Sequence, residues 1–145
     1  MINTVLVIDD NALDNAVLRN YLYNEHLNLI SALNGREALD MLEGRNIDVI
    51  VLDLVMPVMD GLSFLKAFKK TSFYGKVPVI VTTSRDSEDI IHKVITEYEV
   101  FDYILKPLDK INKMILINKI RSAIRYRNAL KELDTLRRKK DRDGN

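Results

Sequence analysis

An aliphatic run lies near the middle of the chain, Asp48-Val49-Ile50-Val51-Leu52, and it ends at Asp53. Two further runs, Thr4–Ile8 and Val77–Val81, are also apolar almost throughout instead of alternating with polar residues. A strand with this pattern is covered on both of its faces. The three runs therefore predict strands of a parallel sheet that carries helices on each side.

The remaining elements follow from shorter runs and from helical periodicity. Residues 28–32 and 102–105 are predicted as the second and fifth strands, and residues 35–43 and 61–70 as the second and third helices. The first and fourth helices carry apolar stripes that we expect to face the sheet. The stripes are Leu13, Val17, Leu18, Tyr21 and Leu22, and Ile90, Ile91, Val94, Ile95 and Tyr98. The order is strand then helix five times, which predicts a doubly wound (βα)5 α/β fold.

The fifth helix is predicted to begin near Asp109, a good cap residue, and it has no obvious end before Gly144. Its expected inward residues are Leu116, Ile120, Ala123 and Ile124, and its later apolar residues are Tyr126, Leu130, Leu133 and Leu136. We assign residues 1–125 to one domain and residues 126–145 to an extension of the last helix. The extension is expected to pack on another subunit or module, or else to be a frayed, partly helical tail.

The composition is that of an ordinary globular domain. The chain has 145 residues, of which 47% are hydrophobic and 30% charged, and it has no cysteine. This excludes disulfides, thiolate metal sites and cysteine nucleophiles. No apolar run approaches the roughly 18 to 20 residues of a membrane helix, and no signal-peptide pattern opens the chain. We therefore expect a cytoplasmic protein that does not contact the membrane.

The charge distribution does not indicate a nucleic-acid partner, since the formal net charge is only +1. Residues 137–140 form a basic run that could touch a polyanion. A short run of charge near a chain end is more often a solvated helix terminus. We therefore expect no direct contact with nucleic acid.

Polar residues follow the predicted strands at the edge where their carboxyl ends meet. They are Asp9-Asp10, Asp53, Thr82-Thr83-Ser84 and Lys106-Pro107. Clustered carboxylates repel one another unless a cation or a proton intervenes, and oxygen ligands without thiols select a hard ion such as Mg²⁺. A carboxylate nucleophile, a divalent metal and a lysine are the components of phosphoryl transfer.

These polar residues belong to four motifs that follow one another along the chain. The motifs are Ile8-Asp9-Asp10, Asp53-Leu54-Val55-Met56-Pro57-Val58-Met59-Asp60-Gly61-Leu62, Val81-Thr82-Thr83-Ser84 and Tyr103-Ile104-Leu105-Lys106-Pro107. With them the sequence resembles the receiver of response regulators in two-component signalling. The resemblance covers about residues 3–125. It implies a flavodoxin-like sheet and a phosphorylation-activated signalling module, which catalyses only its own phosphorylation and dephosphorylation and is otherwise not an enzyme.

The resemblance also implies a role for each motif residue. Asp53 is expected to accept a phosphoryl group from a phosphohistidine of a sensor histidine kinase or phosphotransfer protein, or from acetyl phosphate. Asp10, Asp53 and the backbone carbonyl of Val55 are expected to ligate Mg²⁺, with Asp9 acting through a water or as a shared ligand. Lys106 is expected to pair with Asp53 at rest and with the phosphoryl group afterwards.

In the family pattern Thr83, rather than Thr82, is the switch hydroxyl. Its inward movement is expected to leave space for Tyr103 and to alter the surface of helix 4, strand 5 and helix 5. The family pattern also implies a cis bond between Lys106 and Pro107. The sequence departs from the pattern at Glu99-Val100, where Gly-Ala is usual, so we expect a differently shaped turn there.

Each motif has an ordinary explanation by itself: Asp9-Asp10 as a helix cap, Asp53 as a turn residue, Lys106 as a loop lysine, Thr83 and Tyr103 as strand-end packing. Their coincidence at one edge favours the site. An aspartyl phosphatase would be expected to carry Asp-x-Asp after the first strand, and a flavin- or nucleotide-binding protein a glycine-rich loop there. A degenerate receiver that only docks a partner is the third alternative.

The motifs leave the output open. One expectation is a homodimer, formed through helix 4, strand 5 and helix 5 or through the C-terminal helix. The other is control of a downstream effector, either as a separate partner or as a module joined through that helix.

Overall fold

The computed structural model describes residues 2–55, 60–84 and 88–144. Strands and helices alternate along these residues, as the sequence predicts. The strands are β1 (Asn3–Ile8), β2 (Leu27–Ala32), β3 (Val49–Asp53), β4 (Val79–Thr83) and β5 (Asp102–Leu105). The helices are α1 (Ala12–Asn24), α2 (Gly35–Gly44), α3 (Gly61–Phe68), α4 (Glu88–Tyr98) and α5 (Lys110–Asp143).

The five strands form one parallel sheet in the order β2-β1-β3-β4-β5. This confirms the doubly wound, flavodoxin-like α/β fold. The strand order reverses at β1, so the carboxyl ends of β1 and β3 are neighbours, with Ile8 opposite Leu52. Loops that leave this edge converge there, which makes it the expected place for a ligand site.

Both faces of the sheet are buried, which explains why β1 and β3 are aliphatic throughout. Side chains alternate between the faces of a strand, so consecutive residues join different cores. One core, which includes residues of α1 and α5, contains Val5, Val7, Val49 and Val51. The other core, which includes residues of α2, α3 and α4, contains Leu6, Ile8, Ile50 and Leu52.

Two strands, β3 and β4, lie slightly later in the sequence than predicted. β3 begins and ends one residue later than predicted, and β4 covers Val79–Thr83 instead of residues 77–81. Asp53, Thr82 and Thr83 are therefore the final residues of their strands and not the first residues of loops. The sheet continues this far because Asp53 pairs with Thr82 in the β3–β4 register.

The prediction that the stripes of α1 and α4 face the sheet was partly wrong. Leu18 and Leu22 are buried, but Leu13 and Val17 are 73% and 46% exposed. α1 begins at the edge formed by the carboxyl ends of the strands, so its first turns lie beside the strand ends. Ile95 of α4 is also exposed, at 44%.

Helix α5 begins as predicted, since the Asp109 side chain accepts a hydrogen bond of 2.8 Å from the backbone N–H of Asn112. Its four predicted inward residues, listed above, are all buried. The helix then passes through residues 125 and 126 without interruption and ends at Asp143. In the described part of the chain, no helix combines the length and the apolar character needed to span a membrane.

The extension of α5 is attached to the sheet through Asp48, at the edge opposite the motif residues. The Asp48 carboxylate accepts a hydrogen bond of 2.8 Å from the backbone N–H of Thr4. Its Oδ1 lies 3.5 Å from Nε of Arg127 and 4.0 Å from Nζ of Lys131. Arg127 also donates to the carbonyl of Lys76 at 2.9 Å. We call these contacts of Asp48 with Arg127 and Lys131 the Asp48 anchor.

Candidate functional site

The predicted carboxylates meet at the carboxyl edge of β1 and β3. Asp9 follows β1 directly, and Asp53 is the last residue of β3. Each of Asp9, Asp10 and Asp53 offers one carboxylate oxygen, and these oxygens lie within 4.8 Å of one another. Asp9 and Asp53 are buried whereas Asp10 is exposed, so the cluster opens toward solvent on the side of Asp10.

Asp53 is held by contacts to each of its carboxylate oxygens. Oδ1 accepts a hydrogen bond of 3.1 Å from the backbone N–H of Val55. Oδ2 accepts one of 3.1 Å from Nζ of Lys106. The carboxylate is thus oriented by the chain that follows it and neutralised by the lysine that directly follows β5. Val55 is exposed beside it, and its predicted role as a carbonyl ligand stays a prediction.

Lys106 joins the two buried carboxylates, because its Nζ also lies 3.5 Å from Oδ2 of Asp9. Burial lowers the pKa of Lys106, but the nearby charges of Asp53 and Asp9 outweigh that effect and leave this pKa raised. The backbone N–H of Lys106 donates to the carbonyl of Thr83 at 2.7 Å, which ties the lysine to the end of β4. The peptide bond between Lys106 and Pro107 is cis, as predicted.

Asp9 carries a raised pKa, chiefly because burial penalises its charged form. The charge of Asp53 acts in the same direction. A hydrogen bond of 2.9 Å from the backbone N–H of Asn11 and the charge of Lys106 oppose the shift without cancelling it. A cation or a proton close to Asp9 would therefore compensate the cost of burying its charge.

Sequence reasoning missed Asn15, whose buried side chain donates a hydrogen bond of 2.9 Å to the backbone carbonyl of Asp9. This contact fixes the chain where the acidic pair leaves β1. The signal was available in the sequence, because Asn15, Leu18 and Leu22 follow one another at spacings of three and four. A polar residue in the buried row of an amphipathic helix requires a hydrogen-bond partner.

The two threonines at the end of β4 are both buried. Thr82 pairs with Asp53 in the sheet register, and its hydroxyl donates to the carbonyl of Leu52 at 3.4 Å. The hydroxyl of Thr83 donates to the carbonyl of Ser84 at 3.5 Å. Both hydrogen bonds are long and weak, so either hydroxyl is able to exchange its partner. The assignment of the switch to Thr83 stays a prediction.

Tyr103 lies on β5 and is 41% exposed. Its backbone N–H donates to the Asp102 carboxylate at 2.8 Å, and that carboxylate also binds Nζ of Lys119 on α5 at 2.8 Å. Side chains alternate along a strand, so the ring lies on the face of β5 opposite to Asp102 and Ile104, the two residues that contact α5 or its core. Whether it moves with Thr83 stays a prediction.

The second motif continues beyond Asp53 to Gly61. Its residues 56–59 lie outside the described part of the chain. Gly61 donates its N–H to the carbonyl of Leu54 at 3.0 Å, and a Cβ at this position would lie 2.6 Å from Cα of Leu54. A side chain would therefore collide with the residue that follows Asp53, so this position requires glycine.

The turn at Glu99-Val100, where the sequence departs from the family pattern, has a backbone that glycine would favour. Glu99 has φ of 49°, in the left-handed region that side chains rarely adopt. The chain thus places a glutamate in a backbone conformation that glycine adopts more readily, and whether the turn differs in shape from that of the family stays a prediction.

The donor set of the acidic cluster fits a magnesium ion. Three carboxylates within ligand-sharing distance provide hard oxygen ligands, and Asp10 is exposed on the open side. Burial raises the pKa of Asp9 even though Lys106 is nearby, so a further positive charge would stabilise its charged form. A divalent cation would supply the missing positive charge.

Comparison with known proteins gives a consistent result. The family model of the response regulator receiver domain matches residues 5–119. The transcriptional regulatory protein CpxR of Escherichia coli is 36% identical over 124 residues, which cover 85% of this chain and 50% of CpxR. The two-component response regulator ORR5 of rice is 30% identical over 105 residues, which cover 72% of this chain and 78% of ORR5. The chain thus spans about half the length of CpxR.

A solved structure of a response regulator receiver domain protein from Clostridium thermocellum has a similar fold. It superimposes with a TM-score of 0.78 at 26% identity, and the match covers 89% of this chain and 99% of that one.

Proposed function

The chain belongs to the response regulator receiver family, whose role is phosphorylation-dependent signalling, and on that premise we propose that Asp53 is its phosphoryl acceptor. The single observation that carries this assignment is the contact of Lys106 with Asp53 inside a cluster of three carboxylates. Asp53 is the central member of this cluster, since its carboxylate is oriented at both oxygens. We further propose that the donor is a phosphohistidine of a sensor kinase or phosphotransfer protein, or acetyl phosphate.

In the proposed transfer, a carboxylate oxygen of Asp53 forms a bond to phosphorus while the bond from phosphorus to the donor nitrogen breaks. The electron pair of the broken bond stays on the donor imidazole. Lys106 loses its contact with the carboxylate and binds a phosphoryl oxygen, which keeps its charge compensated. A Mg²⁺ ion, held by Asp9, Asp10, Asp53 and the Val55 carbonyl, would neutralise charge on the phosphoryl oxygens.

The proposed switch starts at Thr83. Among the described residues, its hydroxyl donates one long hydrogen bond, to the Ser84 carbonyl, so exchanging it for a phosphoryl oxygen costs little and gains a stronger, charge-assisted bond. Tyr103, exposed two strand positions before Leu105, would then turn inward and change the surface of α4, β5 and α5. This is a shift of population between two arrangements of one fold.

The donor is proposed to dock on the exposed start of α1. Leu13 and Val17, with Lys106 and Pro107, line a groove of about 500 Å³ beside the acidic cluster. Their exposure, which the stripe pattern did not predict, places apolar surface next to the acceptor. Leu13→Ser is expected to slow transfer from a phosphorylated partner protein but not from acetyl phosphate. Equal slowing with both donors would contradict a docking role.

Beyond self-phosphorylation and self-dephosphorylation, we propose that the chain has no enzymatic turnover, that it acts in the cytoplasm and that it binds no nucleic acid. An effector, joined to or bound by the module, would receive the signal. The aspartyl-phosphatase alternative is not favoured, because the carboxylates that follow β1 are the adjacent pair Asp9-Asp10 and not an Asp-x-Asp motif.

The test is incubation with acetyl phosphate and Mg²⁺, followed by intact-protein mass measurement. One phosphoryl group is expected on the wild type and none on Asp53→Asn. Asp60→Asn is the matched control, because Asp60 caps α3 through its side chain and asparagine caps equally well. An adduct that persists in Asp53→Asn would overturn the assignment, and continuous release of phosphate from phosphate esters would favour a phosphatase.

A further inference from the structure

One face of helix α5 packs on the receiver body, and another face of its extension is exposed. The face toward the sheet carries Leu116, Ile117, Ile120, Ala123 and Ile124, all of which are buried. At spacings of three and four this row continues into Arg127 and Lys131, the two residues of the Asp48 anchor. The receiver body thus covers this one side of the helix as far as Lys131.

Another row of residues on the extension is apolar but exposed. Tyr126, Ala129, Leu133 and Leu136 follow at spacings of three, four and three, and we call them the seam. Tyr126, Leu133 and Leu136 are 47%, 49% and 55% exposed. At about 100° per residue, the centre of the seam points roughly 150° away from the centre of the anchored row. The ring of Tyr126 also packs against Phe101 of the receiver body, with ring centroids 5.4 Å apart, whereas Ala129, Leu133 and Leu136 are exposed and accessible to a partner helix.

The spacing of the seam is that of the a and d positions of a heptad, with Tyr126 and Leu133 at a, Ala129 and Leu136 at d. This register places Glu132 at g and Arg137 at e. In a parallel, in-register pair of helices, g of one helix lies next to the following e of the other. Glu132 would then face Arg137 of a second copy, and by two-fold symmetry the contact would occur twice.

An antiparallel pair is less favourable. To keep its apolar layers, it must place Tyr126 beside Leu136 of the other helix and Ala129 beside Leu133. The g positions then adjoin one another, so Glu132 would face a second Glu132, and Arg125 would face Lys139. Like charges at these positions oppose association. The charge pattern therefore favours a second copy of this chain as the partner, with the two helices parallel.

We propose that the seam binds the seam of a second copy of this chain as a parallel, in-register, two-stranded coiled coil. The proposal goes beyond the proposed phosphoryl chemistry and does not depend on it, since no seam residue takes part in the acidic cluster. The seam covers only two heptads and Lys140 follows at the next a position, so the association is weak and concentration-dependent.

Disulfide trapping tests the pairing directly, because the chain has no cysteine of its own. Leu133→Cys and Leu136→Cys, made separately in the full chain, are expected to give disulfide-linked dimers under mild oxidation. The matched control is Asn128→Cys, which is exposed on the same helix but lies outside the seam. If the seam variants cross-link no more than the control, the parallel dimer is wrong. A mixture of Tyr126→Cys and Leu136→Cys that cross-links better than either variant alone would show the antiparallel pair and would also overturn it.

Charge exchange tests the proposed register. Glu132→Arg is expected to weaken self-association by about tenfold in sedimentation equilibrium, because two attractive contacts become repulsive. Adding Arg137→Glu in the same chain should restore the wild-type dissociation constant. Circular dichroism would check that helical content is retained. Asp53→Asn should leave the dissociation constant of the unphosphorylated chain unchanged, which separates this proposal from the phosphoryl-acceptor assignment. A double variant as weak as Glu132→Arg would overturn the register.

Discussion

The ammonium group of Lys106 lies 3.1 Å from Oδ2 of Asp53, although 53 residues separate them along the chain. The contact exists because β3 and β5 both end at one edge, with β4 between them. It is charge-assisted and only partly exposed to water, since the Lys106 side chain is 28% exposed and that of Asp53 8%. One cation therefore serves two carboxylates at a site where phosphoryl transfer would bring further negative charge.

Replacing Lys106 by methionine is expected to slow phosphoryl uptake from acetyl phosphate by about 100-fold or more, because a donor to the phosphoryl oxygens is lost. Lys119→Met is the matched control, since Lys119 pairs with Asp102 away from the acidic cluster. Rates would be measured by intact-protein mass over time. Equal rates in the two variants would contradict a role for Lys106 in transfer.

Thr83→Ala is expected to leave phosphoryl uptake nearly unchanged but to abolish most of the response of Tyr103, because the hydroxyl that senses the phosphoryl group is missing. Thr82→Val is the control, since it removes the neighbouring hydroxyl and keeps the shape of the side chain. The backbone amide of Tyr103, followed by NMR with and without beryllofluoride, reports the response. If Thr82→Val lost the response and Thr83→Ala kept it, Thr82 and not Thr83 would be the switch residue.

Gly61→Ala is expected to destabilise the protein by about 1 to 3 kcal/mol, because overpacking forces a shift of neighbouring backbone. The added Cβ would lie 2.6 Å from Cα and 2.8 Å from Cδ2 of Leu54, and 3.0 Å from the carbonyl oxygen of Asp53. Gly44→Ala is the control, because nothing lies within 4 Å of a Cβ there. Urea denaturation measures both. Equal stability of the two variants would show that the contact at Gly61 relaxes without cost.

Arg127→Ala is expected to cost about 1 to 3 kcal/mol of stability, because the buried Asp48 carboxylate loses its guanidinium partner. Amide hydrogen exchange in residues 128–143 should accelerate in the same variant. Lys131→Ala is expected to cost no more than about 0.5 kcal/mol, since that side chain is largely exposed and 4.0 Å from Asp48. A larger effect of Lys131→Ala would mean that the anchor depends mainly on Lys131.

The raised pKa of Asp9 predicts a pH dependence of stability in the metal-free protein. Between the unfolded pKa, near 3.8, and the higher folded pKa, the folded state binds more protons than the unfolded state. The free energy of unfolding should therefore fall as pH rises through this window, by at most about 1.4 kcal/mol per pH unit. Asp9→Asn should remove that part of the slope. Urea denaturation across acidic pH with a chelator measures it, and parallel profiles for the two proteins would refute the prediction.

Much of the fold was predictable because burial on both sides of a sheet leaves an unambiguous aliphatic signature, as in Val49–Leu52. The ends of elements were less predictable. Asp53 and Thr83 look like loop residues by polarity, yet strand pairing holds them in the sheet. Leu13 and Val17 fit a helical stripe, but periodicity does not show that the first turns of α1 extend past the ends of the strands, where the sheet no longer covers them.

The motif residues of the acidic cluster were predictable for a topological reason, since parallel strands deliver their carboxyl ends to one edge. Two buried polar residues escaped prediction. Asn15 acts through a backbone carbonyl, and Asp48 contacts Arg127 from a distant part of the chain. The buried row of α1 indicates that Asn15 needs a partner, but which group each of the two residues contacts depends on tertiary positions, which local residue types do not reveal.

The unbroken course of α5 through the Asp48 anchor has a geometric consequence for anything attached beyond residue 143. Each added helical residue advances the chain by about 1.5 Å and rotates its heading by about 100°. Inserting one residue would therefore rotate an attached module by about 100° around the helix axis, whereas inserting seven residues would return the module to within about 20° of its original orientation. In such a fusion, linker length would set direction as well as reach.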